Sequence, residues 1–77
     1  MEVTLDQLHE GQSAKIRSLE LHGAMRRRLL DFGMIEGTSI ACIRKSPSGS
    51  PILYRLRGTL LAIRTAEGRR IRVEAEP

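Results

Sequence analysis

The sequence predicts a small, mainly β domain with one main helix, closing into a full or partial barrel of about five short strands. Three observations carry that expectation. Short alternating apolar runs recur at close, even spacing between glycine and proline turns. One segment, from Met25 to Phe32, has apolar residues at helical rather than strand spacing. The chain has 77 residues, 40% of them hydrophobic but only 3% aromatic, so it has room for one domain, 1–77, with one modest aliphatic core.

Thr4 can cap a short helical turn running through Gln7 and Leu8, and Gly11-Gln12 then turns the chain. Ala14, Ile16 and Ser18 alternate with Lys15, Arg17 and Leu19, as in a half-buried strand. His22-Gly23 opens the helix. Met25, Leu29 and Phe32 fall on one face, Leu30 widens that stripe, and Arg27 and Asp31 stand one turn apart, where they can pair on the outer side. Gly33 follows the last periodic residue, where a helix ends most easily in a left-handed residue. Met34 and Ile35 sit before a second glycine break at Gly37, and Thr38 to Lys45 reads as a central strand, apolar on both faces.

Pro47-Ser48-Gly49-Ser50-Pro51 is a turn cluster. Ile52, Tyr54 and Leu56 then form the inward face of a strand whose other face carries Leu53, Arg55 and Arg57. Gly58-Thr59 reads as a tight reversal, and Leu61 and Ile63 alternate with Leu60, Ala62 and Arg64. Thr65 to Gly68 is a loop or helical turn. Ile71 and Val73 point inward in a last strand, with Arg70, Arg72 and Glu74 outward, and Glu76-Pro77 is expected to fray.

Two parts of this pattern are specific enough to point to a family. The first is Arg26-Arg27-Arg28-Leu29-Leu30-Asp31-Phe32-Gly33, with a turn closing on Gly37. The second is Ser48-Gly49-Ser50-Pro51, Tyr54 to Gly58 and Leu60 to Arg64. Together with Leu5 to Leu8, Gly11-Gln12 and the strand from Ala14, the chain resembles the ferrous-iron transport protein A (FeoA) family over nearly its whole length. Glu36 and Ser50 depart from the proline and aspartate common at those turn positions. The resemblance implies an SH3-like barrel with a helix inserted after the first strand. It also implies a small, non-catalytic, cytoplasmic accessory of ferrous iron transport whose partner is the FeoB permease, which carries a cytosolic GTP-binding domain.

The formal net charge is +4, and lysine occurs only at Lys15 and Lys45. An arginine-rich surface fits nucleic acid, an anionic membrane face or an acidic protein, or simply solvates a small barrel. A basic RNA-binding module is the rival reading, with Arg55, Arg57, Arg64 and Arg72 as an outward stripe, but the only aromatic near it, Tyr54, is expected inward, where it cannot stack on bases. A docking domain of a metal-responsive transcription regulator is the other alternative within the resemblance. No apolar run approaches the roughly 20 residues that span a bilayer, so membrane insertion is not expected, and the lone Cys42 cannot form an internal disulfide.

His9, His22 and Cys42 are the candidate metal ligands. Their spacing matches no zinc motif, His22 reads as an exposed turn residue and Cys42 as a buried small hydrophobe. Neither a catalytic constellation nor a glycine-rich phosphate loop is present, and no cofactor is expected. Candidate partner contacts are Arg26, Arg27, Met34 and Ile35, an exposed apolar pair beside arginines, with the loop Ser48, Gly49, Ser50 and Pro51. The alternative for Met34 and Ile35 is that both plug the end of the barrel. An unpaired strand edge would allow weak self-association.

Overall fold

The structure, a computed structural model, describes residues 1–76. Six strands and two helices follow one another as β1 (Glu2–Thr4), a 3-10 turn (Leu5–Gln7), β2 (Ser13–Leu19), α1 (Gly23–Asp31), β3 (Ser39–Lys45), β4 (Ile52–Leu56), β5 (Thr59–Ile63), α2 (Thr65–Gly68) and β6 (Ile71–Ala75). All strands join one antiparallel sheet in the order β1-β6-β2-β3-β4-β5. It coils into a small SH3-like barrel that does not close fully, so β1 and β5 remain its edges. Bulges in β2 between Ile16 and Ser18 and in β3 between Cys42 and Arg44 supply the extra local twist that bends the sheet.

The sixth strand is the one absent from the sequence reading. Glu2-Val3-Thr4 is too short to show alternation, and it is a strand only because β6 pairs with it, Val3 opposite Val73. Thr4, the last residue of β1, also caps the 3-10 turn as expected: its N–H donates to Gln7 Oε1 at 2.9 Å. The chain end is also more ordered than expected. Glu76 donates its N–H to the Ser13 carbonyl at 2.9 Å, which extends the β2–β6 ladder, while Pro77 lies outside the described residues. A second boundary shifts at the β4–β5 hairpin. The reversal is Arg57-Gly58, not Gly58-Thr59, with φ of 52° and 82°, as a type I′ turn requires.

The core is aliphatic, as the composition demands. Leu5, Leu8, Ala14, Ile16, Ile40, Ile52, Leu56, Ile71 and Val73 fill the interior around Tyr54, the one buried ring. Burial would strand the Tyr54 hydroxyl, but it donates to the Leu5 carbonyl at 3.2 Å, which ties β4 to the 3-10 turn. Among the described residues no buried side-chain nitrogen or oxygen lacks a partner.

Candidate docking face

Helix α1 stops as its glycine predicts. Gly33 has φ 98°; its N–H reaches the Leu30 carbonyl at 2.9 Å, and the next N–H, of Met34, reaches Leu29 at 3.0 Å. These are the two bonds of a Schellman motif, which brings the residue after the glycine back onto the last turn of the helix. Met34 is therefore driven against Leu29 and is fully buried, at 0% exposure. This corrects the expectation that Met34 and Ile35 form an exposed pair: Met34 belongs to the buried core and offers no surface to a partner. Ile35, one residue further, is 47% exposed.

The arginine triplet divides in the same way. Arg26 donates to the Leu19 carbonyl at 3.2 Å and so braces α1 against the end of β2. Arg27 and Arg28 are exposed, and among the described residues neither forms an ion pair, so the expected pair between Arg27 and Asp31 does not form. Ile35, Leu30 and Arg26 line a shallow recess on one flank of the helix, together with Arg17.

The other flank holds a feature the sequence reading missed. Met25, Leu29 and Phe32 face Leu61 and Ile63 of β5 across a groove of about 250 Å³, bordered by Arg28, Arg64 and Glu67. The stripe of α1 is thus only partly core: Leu29 is buried, Met25 is half-buried, and Phe32, at its end, is 40% exposed. Beyond the groove Leu60 is 55% exposed on the outer face of β5, opposite Arg55 of β4. Alternation alone marks Leu60 as an outward apolar residue, a signal already present in the sequence.

The loop Ser48 to Pro51 is tied to the start of α2. Two of its hydrogen bonds run to α2 and the rest close within the turn: Ser50 Oγ accepts the Thr65 N–H at 3.2 Å, and the Thr65 hydroxyl donates to the Gly49 carbonyl at 2.8 Å. No hydrogen bond joins it to α1 among the described residues. The basic stripe also divides. Arg72 is committed to Glu20 at 3.0 Å and Glu2 at 3.7 Å, whereas Arg55, Arg57 and Arg64 are exposed and form no ion pair among the described residues.

His9 and His22 are exposed and Cys42 is buried, its thiol pKa pushed up by burial. No three histidine, cysteine or acidic residues converge as a metal site among the described residues. No helix among the described residues is long and apolar enough to cross a membrane.

The sequence model of the FeoA domain matches residues 3–75. The chain is 31% identical over 70 residues to an Fe(2+) transport protein A/Fe(2+) transporter FeoB fusion protein of Porphyromonas gingivalis, covering 91% of this chain but only 8% of that protein. It is 32% identical over 71 residues to a Campylobacter jejuni Fe(2+) transport protein A, covering 92% and 96%. Among solved structures, the FeoA protein of Chlorobium tepidum superposes with a TM-score of 0.93 at 33% identity over 97% of this chain and 71% of that one. A Stenotrophomonas maltophilia FeoA complexed with zinc, described as a procaryotic SH3 domain protein, superposes with a TM-score of 0.82 at 33% identity over 94% and 89%. A manganese-dependent transcriptional repressor shares the fold alone, with a TM-score of 0.85 at 10% identity over 97% of this chain and 42% of that one.

Proposed function

The chain belongs to the FeoA family, and from that premise we propose that it is a non-catalytic, cytoplasmic accessory of ferrous iron transport. It docks on the cytosolic GTP-binding part of the FeoB permease and modulates iron uptake. The observation that carries this reading is the Porphyromonas relative, in which a protein A segment and a FeoB transporter are one polypeptide. Fusion places two modules at a high effective concentration, which is useful when they act on each other.

The surface supports a binding role. Phe32, Ile35 and Leu60 are large apolar side chains left in solvent on a chain of net charge +4, and arginines stand around them. The recess beside Arg26 and Ile35 and the groove between α1 and β5 flank the same helix, so one partner surface can engage both. The rival RNA reading has little to stack bases on: Tyr54 is buried, and Phe32 and the imidazoles of His9 and His22 are the rings left at the surface. A docked barrel changes transport by contacting two conformations of the permease unequally, since a ligand that binds both states equally shifts neither.

The test is a titration of the isotopically labelled chain with the cytosolic part of its cognate permease, followed through backbone amide shifts. Shifts confined to α1, Ile35 and β5 are expected. An unchanged spectrum with every nucleotide state of that domain removes it as the target.

A further inference from the structure

Strand β5 lies at the end of the sheet and pairs with β4 alone. Its two-residue turn makes Leu56 and Thr59 a hydrogen-bonded pair, so by alternation Tyr54 with Leu61 and Ile52 with Ile63 are hydrogen-bonded too. Leu60 and Ala62 stand in the intervening pairs, with Arg55 and Leu53, and turn their N–H and C=O groups outward to the free edge. Exposed edges are ordinarily blunted by a charge, a proline or a bulge within the strand. Thr59-Leu60-Leu61-Ala62-Ile63 has none of these, whereas the opposite edge, β1, is only three residues long and carries Glu2.

The charge around that edge is mainly positive. Arg57 and Arg64 flank β5, Arg55 stands across from Leu60, and Arg28 borders the groove beside it, with Glu67 the single acidic residue lining the groove. None of the four arginines forms an ion pair among the described residues. Two copies of this chain paired through β5 would bring two such arginine sets together, so like-charge repulsion works against self-pairing.

We propose that β5 is an acceptor edge for strand addition by an extended acidic segment of a partner protein, one that alternates apolar and carboxylate side chains. The backbone of that segment pairs with Leu60 and Ala62. One face of its side chains enters the groove over Phe32 and Leu61, and the other carries carboxylates to the arginines. Main-chain bonds supply affinity in this mode and the alternate side chains supply specificity. The inference deepens the docking reading by naming the recognition mode and rests on it only for the identity of the partner.

The probe is a capped synthetic heptapeptide alternating valine with aspartate and glutamate, titrated into the labelled full chain. Amide shifts and slowed hydrogen exchange at Leu60 and Ala62 are expected. Binding should weaken about tenfold in Ala62→Pro, which removes an outward N–H and no bond to β4, and in Leu60→Lys, which leaves the backbone intact. A peptide with lysine for each acid should bind at least about tenfold more weakly. The proposal is overturned if the acidic peptide does not bind at millimolar concentration, if the lysine peptide binds equally, or if folded Ala62→Pro and Leu60→Lys variants bind like the parent. It is also overturned if sedimentation shows a dimer that Ala62→Pro abolishes, since the occupant is then a second copy. Repeating the titration with the permease domain separates the two readings. If that domain binds the parent and both variants equally, docking stands without the edge; if only the peptide binds, the edge stands without that partner.

Discussion

Replacing Met34 and, separately, Ile35 with alanine tests the division between core and surface made by a single glycine turn. Met34 is at 0% exposure and Ile35 at 47%, although they are neighbouring large apolar residues and the more hydrophobic isoleucine is the exposed one. Met34→Ala removes three heavy atoms from a closed site, worth about 2.4 kcal/mol in transfer at ~0.8 kcal/mol per methylene-sized group. The cavity left behind brings the expected loss into the range of about 2–5 kcal/mol. The backbone bond from Met34 to Leu29 survives the change, so the loss reports packing alone. A domain of this size has only about 4–12 kcal/mol of stability in total, so the variant lies near the folding threshold. Ile35→Ala removes three carbons already about half in water and should cost no more than about 1 kcal/mol. Urea titration followed by circular dichroism measures both. With a slope of about 1 kcal/mol per molar, the Met34→Ala midpoint falls by about 2 M or more and the Ile35→Ala midpoint by under about 1 M. Equal shifts, or a Met34 cost below about 1 kcal/mol, would refute the claim that the Schellman turn drives Met34 into the core.

Three further outcomes follow from the same structure. Arg57→Asn should stabilise the domain by about 0.5–1 kcal/mol, because Arg57 has φ 52° in a type I′ turn where asparagine is favoured, so the thermal midpoint should rise by about 2–8 °C; a lower midpoint would mean that the Arg57 stem beside Gly33 matters more than the backbone. Burial raises the Tyr54 pKa above its ordinary value, so the folded state holds the phenolic proton more tightly than the unfolded chain does; its contribution should be level below pH ~10 and fall above it, adding to the fall that Cys42 begins near pH ~9, and Tyr54→Phe, costing about 1 kcal/mol, should remove the part above pH ~10 in pH-dependent melts. The Cys42 thiol, buried and raised in pKa, should be inert to a disulfide reagent in the folded protein and react in urea; rapid native reaction would contradict its placement in the core.

Much of the fold was legible because its signals are local. Strand alternation in Ile52 to Leu56, the helical stripe from Met25 and the stop at Gly33 each depend on a few neighbouring residues, and each stands where it was expected. The resemblance to the FeoA family rested on those same local motifs. The candidate docking face was legible only in part. Arg27 and Ile35 are exposed as expected, but Met34 is not, and Arg26 spends a donor on Leu19. The groove beside β5 joins residues about thirty positions apart, which no local period reveals.

The sequence by itself determined an aliphatic barrel with a single main helix, an arginine-rich surface and the turn that ends the helix, because side-chain size, charge and glycine conformation are properties of each residue. Tertiary structure decided the rest. β1 exists only because β6 lies beside it, β5 is an edge only because no strand follows it in the sheet, and Met34 is core only because a left-handed glycine folds it onto Leu29. Burial and pairing are relations between distant segments, and they are fixed only when the sheet assembles.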